Sequence, residues 1–440
     1  MDEAGSKLAI KLEPFIHQVG GHSSMLCLDE YTVCKPLVKR ELEFYETLPD
    51  AIRNFTPKFY GTLQVKAVPE EDGYISLIAI PTDSYSPKQN QRSTKRKIRI
   101  RRTGSIETEG VNNELFEEDS IRNENQMDIP KSGVPVNPWV LLCYERQLQK
   151  MISTVKVGEQ EPNFILLENL ASRFTYPCIL DLKMGTRQYG DTASLPKKQS
   201  KMFKVVSTTS GKLGVRIGGM QVYQVTTQRF VCRNKFFGRS LSVGGFQQAV
   251  RQFLHNGSHL RSDVLGPLIR RLEELAAVVT QQEATRFYTT SLLLIYDGLE
   301  HSCTEGKMKF DFEIRSLQNS AVRQEEEKTA FMQGSRRSSS VELLDRPLKE
   351  LTTDEVGIVH RRCSSVGLFD DAATQSPLPS PRPPVTTVAE PSIDVRIIDF
   401  AHSTHKGMDN PVIYSGPDRG FLFGLENMIS ILKGIERDHG

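Results

Sequence analysis

Two long segments with few apolar residues interrupt this chain of 440 residues and limit what it can fold into. Residues 82–135 carry a basic run and then an acidic run, whereas residues 302–392 are polar and then rich in proline and serine. Such segments bury too little apolar surface to offset the entropy lost on folding, so we expect two disordered insertions. The remaining blocks, 1–81, 136–301 and 393–440, suit one domain with two lobes.

All three blocks combine strand patterns with helix patterns. The first block begins with a predicted hairpin whose first turn contains Gly20 and Gly21. The second block has a predicted strand at 178–183 and a basic helix at 194–206. The chain closes with an amphipathic helix that places five apolar residues on one face: Leu425, Met428, Ile429, Leu432 and Ile435.

Charge and cysteine content exclude several classes of protein. With 56 Lys and Arg against 54 Asp and Glu, the net charge of +2 excludes a globally basic nucleic-acid binder, so we expect no specific nucleic-acid partner. The seven cysteines are scattered and never spaced as C-x-x-C, which argues against a disulfide scaffold or a zinc site and favours a reducing compartment. No uninterrupted apolar run is long enough to predict a membrane span.

Two predicted strands carry acidic residues suited to phosphate chemistry. Asp399 directly follows a strand rich in β-branched residues, where a carboxylate can hold Mg²⁺ between phosphate groups. Asp181 and Lys183 are two residues apart on another strand and therefore face the same side, where they can orient an acceptor and neutralise a transferring phosphoryl group. The alternatives are a turn or cap residue for Asp399 and a salt bridge at a strand edge for the other two.

A third signal is a lysine stripe without acidic partners. Lys197, Lys201 and Lys204 lie within about 60° of arc on the predicted helix, with Lys198 beside them. No acidic residue occurs between positions 194 and 206. Most such stripes are solvated surfaces, but the missing counter-charges here favour an anionic ligand.

The first block adds a possible site for nucleotide phosphates. Backbone N–H groups around Gly20 and Gly21 are suited to bind phosphates, although the same pair also fits a plain hairpin turn. Lys35 on the next strand can reach the same phosphates, and Glu41 can pair with it. The sequence lacks the Walker motif G-x-x-x-x-G-K-[ST] and the H-R-D motif of protein kinases, which excludes both of these kinase types.

Together these residues closely resemble the inositol polyphosphate kinase family. The pattern P-x-x-x-D-x-K-x-G of that family stands here as Pro177, Asp181, Lys183 and Gly185. Within the family the chain is most similar to the inositol hexakisphosphate kinases, because stretches such as FIHQVGGHSSM, TVCKPL, ILDLKMGTRQYGD, CRNKFFGR and RIIDFAHST match. The resemblance covers the three folded blocks and fails in the two insertions.

The resemblance implies a protein-kinase-like α+β fold with ATP in the cleft between an N-terminal lobe (1–81) and a C-terminal lobe built from 136–301 and 393–440. Glu168, Asn169 and Leu170, within the second block, would be the hinge that reads adenine, chiefly through backbone groups. The implied ATP-binding residues are Lys35, Glu168, Asn169, Leu170, Asp181 and Asp399, with Asp399 also binding Mg²⁺. The implied substrate-binding residues are Lys183, Lys197, Lys198, Lys201, Lys204 and His402. Lys35, Asp181, Lys183 and Asp399 would carry catalysis.

The implied reaction transfers the γ-phosphate of ATP to a phosphate of inositol hexakisphosphate, by family likeness the 5-phosphate, and gives a diphosphate. Inositol pentakisphosphate is a second expected substrate. One alternative is a less selective kinase that adds monoesters to ring hydroxyls. Another is a non-catalytic scaffold that binds inositol phosphates and works through its insertions.

The insertions are expected to carry regulation, including binding of regulatory protein partners. Ser338 and Ser364 follow arginine pairs, and Ser376 and Ser380 precede prolines, as in substrates of protein kinases. A basic run at 95–102 resembles a nuclear import signal, with a solvated linker as the alternative. Resemblance to a family found in both compartments leads us to expect the protein in cytoplasm and nucleus.

Overall fold

In the computed structural model, the described residues are 10–21, 23–70, 74–80, 97–101, 106–109, 115–118, 137–157, 162–299, 391–410 and 412–439. They form strands in two separate sheets, with helices packed on both. The strands are β1 (Ile10–Pro14), β2 (Leu26–Cys27), β3 (Thr32–Pro36), β4 (Phe59–Pro69), β5 (Tyr74–Ile80), β6 (Lys97–Arg101), β7 (Ile106–Glu109), β8 (Leu115–Glu118), β9 (Asn163–Glu168), β10 (Pro177–Met184), β11 (Val215–Gln224), β12 (Arg229–Arg233), β13 (Ser291–Asp297) and β14 (Ile393–Ile398).

The first sheet has eight strands in the order β1-β2-β3-β9-β4-β5-β6-β7. Strand β1 also pairs with β5, so the first six of these strands close into a ring. Strand β9 lies between β3 and β4 although it comes from the second sequence block. The N-terminal lobe therefore does not end at residue 81, as the sequence predicts, because β9 fills the gap that the strands of the first block leave.

The second sheet has six strands in the order β14-β13-β10-β11-β12-β8. Its centre is the antiparallel set β13, β10 and β11, in which Lys183 lies opposite both Ser291 and Arg216. The register between β10 and β11 shifts by one residue at Gly218, between the pairs Asp181–Gly219 and Leu182–Ile217. This bulge lies at the predicted Asp-Lys motif and changes the local direction of the strand there.

The helices begin with α1 (Lys39–Glu46) and α2 (Asp50–Arg53), followed by α3 (Pro138–Val157), α4 (Leu195–Val206), α5 (Thr209–Leu213), α6 (Lys235–Ser240), α7 (Val243–Phe253), α8 (Leu265–Gln281) and α9 (Arg419–Arg437). Several begin at side chains that cap free backbone N–H groups. The Asn234 side chain accepts from the amides of Phe236 and Phe237, and the Asp418 side chain accepts from that of Phe421.

The main hydrophobic core joins the second sheet to α7, α8 and α9. The predicted apolar face of the terminal helix is confirmed: Leu425, Met428 and Leu432 are fully buried, and Ile429 packs against the core. A smaller core fills the first sheet under α3. The predicted α+β fold with two lobes is confirmed, since each sheet with its helices forms one lobe. Among the described residues, no helix is long and apolar enough to cross a membrane.

Two sequence predictions need correction. The segment with Gly20 and Gly21 is a loop of 11 residues between β1 and β2, not a tight hairpin turn, because β1 ends at Pro14 and β2 begins at Leu26. We refer to residues 15–25 as the glycine loop. The expected disorder of 82–135 is wrong for β6, β7 and β8, whereas the expectation for 302–392 falls almost wholly outside the described residues.

Strand β8 shows why part of the first insertion is ordered. It extends the second sheet by pairing in parallel with β12, and its Phe116 is fully buried. The Phe116 ring stacks on that of Phe230 with the ring centroids 4.9 Å apart. The single Leu-Phe pair of this strand is too short a pattern to stand out in a highly charged stretch.

Candidate active site

Four charged side chains from all three sequence blocks meet between the two sheets. The Lys35 Nζ on β3 lies 2.7 Å from the Glu41 Oε1 on α1 and 2.8 Å from the Asp399 Oδ1. The Lys183 Nζ on β10 donates to the other oxygen of Asp399 at 2.6 Å. We call Lys35, Glu41, Lys183 and Asp399 the charge cluster. The predicted ion pair between Lys35 and Glu41 is confirmed.

Electrostatics keep this cluster ionised. Burial alone would raise the pKa of Asp399, but the ammonium groups of Lys183 and Lys35 outweigh it and hold that pKa far below its ordinary value. Burial likewise disfavours the charge on Lys35, yet the carboxylates of Asp399 and Glu41 raise its pKa above the usual range. Asp399 is thus a permanent carboxylate shared by two lysines.

The backbone of Asp399 has an unusual conformation. Its φ of +68° lies in the left-handed region, which a residue other than glycine rarely adopts. The Glu41 Oε1 also accepts the backbone N–H of Phe400 at 3.0 Å, and so fixes the chain immediately after Asp399. Such local strain occurs mainly where the surrounding structure requires one geometry.

Asp181 lies beneath the glycine loop. It is only 2 % exposed, and its Oδ1 has no hydrogen-bond partner within the described chain. A Cβ atom at Gly20 would overlap its carboxylate, and one at Gly219 would overlap the carbonyl of Val19, so glycine is required at both positions. Burial raises the pKa of Asp181, although Lys183 opposes the shift. Its predicted contact with ATP or with the acceptor therefore requires the loop to lift.

The glycine loop is held in place by one buried amide that sequence reasoning missed. The Gln18 side-chain Nε2 donates to the carbonyls of Gly20 and Ser23 at 2.9 and 2.8 Å, and its Oε1 accepts from the amide of Met25 at 2.9 Å. Gly21 has a φ of +88° inside this arrangement. A single side chain thus connects the turn at Gly20 to the C-terminal end of the loop.

The predicted hinge residues connect the two sheets. Strand β9 ends at Glu168 in the first sheet, and β10 begins at Pro177 in the second. The Asn169 amide donates to the carbonyl of Tyr31 at 2.7 Å, and its side chain donates to that of Glu30 at 2.8 Å. The Glu168 carboxylate accepts from the amide of Lys58 at 3.1 Å. The Glu168 carboxylate therefore already has a partner within the protein, and the contacts of Glu168, Asn169 and Leu170 with ATP stay a prediction.

Helix α4 carries the predicted lysine stripe beside the charge cluster. Burial and the charges of Lys204 and Arg216 lower the pKa of Lys201 to about 8, and Lys183 contributes to the same shift. Lys197 is exposed and Lys198 is half-buried at the edge of the stripe. Burial and the nearby Lys197 and Lys201 also lower the pKa of His402, so its imidazole is neutral near pH 7.

Two arginines that the sequence analysis missed extend this positive surface. Burial and Arg239 lower the pKa of Arg216 to about 10, and burial lowers that of Arg239 itself. Arg216 is 9 % exposed on β11 and stands opposite Lys183 in the sheet. Only this register reveals it, because a lone arginine in a strand gives no signal by itself. We call five residues the basic wall: Lys197, Lys201, Lys204, Arg216 and Arg239.

The chemistry of these donors fits a nucleotide-bound divalent cation. Mg²⁺ is usually bound by one or two carboxylates together with substrate phosphates, rather than by an all-protein cage. Among the described residues no group of three or more His, Cys, Asp or Glu could hold a metal, but Asp399 is ionised and partly exposed. The site thus suits a cation that arrives with phosphate ligands.

Comparisons with known proteins found the following similarities. A family model described as inositol polyphosphate kinase matches residues 164–433. Human inositol hexakisphosphate kinase 1 is 38 % identical over 98 % of this chain and 95 % of its own length, and human inositol hexakisphosphate kinase 2 is 36 % identical over 100 % and 98 %. The solved structure of inositol phosphate multikinase Ipk2 from S. cerevisiae with ADP and Mn²⁺ is 22 % identical, with a TM-score of 0.37 over 62 % of this chain and 84 % of that one.

Proposed function

This chain belongs to the inositol polyphosphate kinase family, and within it to the inositol hexakisphosphate kinases; we propose that it transfers the γ-phosphoryl group of ATP to a phosphate of inositol hexakisphosphate. One observation carries the proposal: a carboxylate shared by Lys35 and Lys183 stands beside a basic wall without acidic partners on its helix. The first feature suits phosphoryl transfer, and the second suits a highly anionic acceptor.

The acceptor explains the basic wall. Each phosphomonoester carries about −1.5 to −2 charge at neutral pH, so six of them carry roughly −9 to −12. Burial, followed by repulsion from neighbouring cations, lowers the pKa values of Lys201 and Arg216, and such an anion relieves the repulsion. Lysines act as point charges toward phosphates of several orientations, and the two arginines add planar donors. Lys198 and His402 would line the same surface.

The reaction needs positioning more than acid–base catalysis. An oxygen of the acceptor phosphate, already anionic at neutral pH, attacks the γ-phosphorus of ATP. The bond from that phosphorus to the β–γ bridging oxygen breaks, ADP leaves, and the product contains a diphosphate. Lys183 would neutralise charge on the transferring group and Lys35 on the ATP phosphates, while the peptide groups of Glu168, Asn169 and Leu170 would hold adenine. No strong general base is required.

Asp399 would hold the cation that accompanies ATP, and we propose that this cation is Mg²⁺. When bound, Mg²⁺ neutralises charge on the β- and γ-phosphates. Lys35 and Lys183 would then turn from Asp399 toward phosphate oxygens. Asp181, once the glycine loop lifts, offers its unpartnered oxygen to a hydroxyl group of the nucleotide.

Product analysis tests the proposal. The protein is incubated with Mg-ATP and inositol hexakisphosphate, and the phosphorus NMR spectrum of the product is recorded. We expect a diphosphate linkage, at the 5-position. The same assay with inositol pentakisphosphate separates a second diphosphate product from a new monoester on a ring hydroxyl, which would favour the less selective kinase.

A variant decides between enzyme and scaffold. Asp399→Asn removes the shared carboxylate but preserves the size of the side chain. We expect its turnover to fall by at least about a thousandfold, since the cation loses its protein ligand. If wild type and variant both show no turnover while binding the inositol phosphate equally, the scaffold interpretation is correct.

We further propose that the two insertions carry regulation and that the protein occupies both cytoplasm and nucleus. The candidate phosphorylation sites Ser338, Ser364, Ser376 and Ser380 lie outside the described residues, so they remain predictions. Part of the basic run at 95–102 forms β6, which argues against a solvated linker at those residues. Imaging of a tagged variant tests the location, with Gln at Lys95, Arg96, Lys97, Arg99, Arg101 and Arg102; an unchanged nuclear fraction would exclude this run as the signal.

A further inference from the structure

Helix α4 exposes an apolar face to solvent. Four large side chains are open on it: Leu195 (68 %), Met202 (54 %), Phe203 (74 %) and Val206 (80 %). At about 100° per residue they fall within an arc of roughly 100°, and the stripe of Lys197, Lys201 and Lys204 lies on the opposite side of the helix. Surface helices normally turn such a face toward the core.

The rest of the helix explains why this face stays open. Val205 is the only buried residue of α4, and the helix packs mainly along α5. The helix turns its cationic side, on which Lys201 is half-buried, toward the substrate site. Its apolar side therefore faces away from that site. Single exposed apolar residues need no explanation, but four on one face indicate an interaction surface.

The charges around this face restrict its occupant. No acidic residue occurs between Ala193 and Val215, whereas Lys198 lies at the edge of the apolar stripe and Lys212 is exposed on the neighbouring α5. A second copy of the chain would therefore bring like charges together. The occupant must combine an apolar layer with negative charge.

We propose that α4 binds to membrane surfaces that contain anionic lipids. Phe203, Val206 and their two apolar neighbours enter the boundary between headgroups and acyl chains, as in other interfacial amphipathic helices. Lys212 lies level with the lipid phosphates, which attract such residues. The basic wall stays on the far side of the helix, so the soluble acceptor still reaches it.

Vesicle flotation of the full chain tests this proposal. Wild type is mixed with vesicles of phosphatidylcholine alone or with added phosphatidylserine, and the bound fraction is measured. We expect binding only to the anionic vesicles, weakened by salt. The double variant Phe203→Ser, Val206→Ser should lower the partition coefficient by about tenfold or more, because two inserted side chains are lost. Tyr31→Ser is the matched control, since Tyr31 is 63 % exposed elsewhere.

Several outcomes would overturn the proposal. These are absent binding of wild type to the anionic vesicles at low salt, equal binding of the double variant, and equal binding to the neutral vesicles. A wild-type dimer that the double variant loses in gel filtration would identify a second copy as the occupant. Turnover of the soluble acceptor should be unchanged in the double variant, which establishes that it folds.

Discussion

The charge cluster and the basic wall adjoin where Lys183 on β10 lies opposite Arg216 on β11, but their charges are arranged in opposite ways. In the cluster each lysine has a carboxylate within 2.8 Å, and the pKa values of the lysines are raised. In the wall, burial and neighbouring cations lower the pKa of Lys201 and Arg216. The first arrangement is complete before any ligand binds, whereas the second is strained until an anion arrives.

This difference separates two tasks within one site. Paired charges fix the geometry of phosphoryl transfer, because Lys35 and Lys183 share one acceptor from the third sequence block. The unpaired cations of the wall favour binding of the acceptor, because its phosphates relieve the repulsion among them. Substitutions in the charge cluster should therefore lower kcat, whereas substitutions in the basic wall should raise the KM for the acceptor.

The largest effect is expected from the paired side. Lys183→Ala should lower kcat by about a thousandfold while the protein stays folded, because a cation at the transferring group acts mainly in the transition state. Steady-state kinetics and thermal unfolding measure both properties. Lys212→Ala, at an exposed lysine of α5, is the control. Near-normal turnover of Lys183→Ala would contradict the assigned role.

The next effect belongs to the unpaired side. Replacing Lys197, Lys201 and Lys204 together by Ala should raise the KM for inositol hexakisphosphate about a hundredfold and that for ATP less than about threefold. Arg at all three positions keeps the charge and should restore most of the affinity. An equal rise of both KM values would indicate a folding defect or a role in nucleotide binding.

A smaller effect is expected where the glycine loop is held. Gln18→Ala removes three hydrogen bonds to the loop. We expect the KM for ATP to rise about tenfold, with the KM for the acceptor unchanged, because a loop displaced by about 1 Å loses orientation. Gln199→Ala, on an exposed position of α4, should change neither constant. If only the KM for the acceptor changed, the glycine loop would not contact the nucleotide.

The smallest effect is expected in the pH dependence of the KM for the acceptor. Because the pKa of Lys201 is about 8, its ammonium is lost as the pH rises through that value. We expect the KM for the acceptor to rise about two- to threefold between about pH 7 and about pH 9, with no change in the KM for ATP, since the pKa of Lys35 is raised. Lys201→Arg should remove this dependence; a parallel change in both constants would exclude Lys201 as its origin.

The sequence predicts the parts of the site better than their assembly. The Asp-Lys strand, Lys35, Asp399 and the lysine stripe each carry a local pattern of charge and period. Their meeting in space depends on pairings across as many as 364 residues, which no local pattern contains. Gln18 and Arg216 were missed for a related reason, since buried polar residues acquire their roles only from what folds around them.

In the first insertion, the average composition conceals short strands. Overall polarity predicted disorder at 82–135, yet Ile98 and Ile100 alternate with basic residues in β6, and Phe116 anchors β8. A strand at a sheet edge, such as β8, needs few apolar residues, because pairing satisfies its backbone on one side. Averages over 54 positions conceal such short elements.

The position of β14 at the edge of the second sheet has a consequence during biosynthesis. Strand β13 is complete at Asp297, but its partner begins only at Ile393, after 95 intervening residues. At about 5–20 residues per second, translation takes roughly 5–20 s to supply it. For that time one edge of the apolar stretch SLLLIY lacks its partner strand, which is the kind of segment that aggregates. Ribosomes that stall within this interval would release chains that lack Asp399 and carry this unpaired edge.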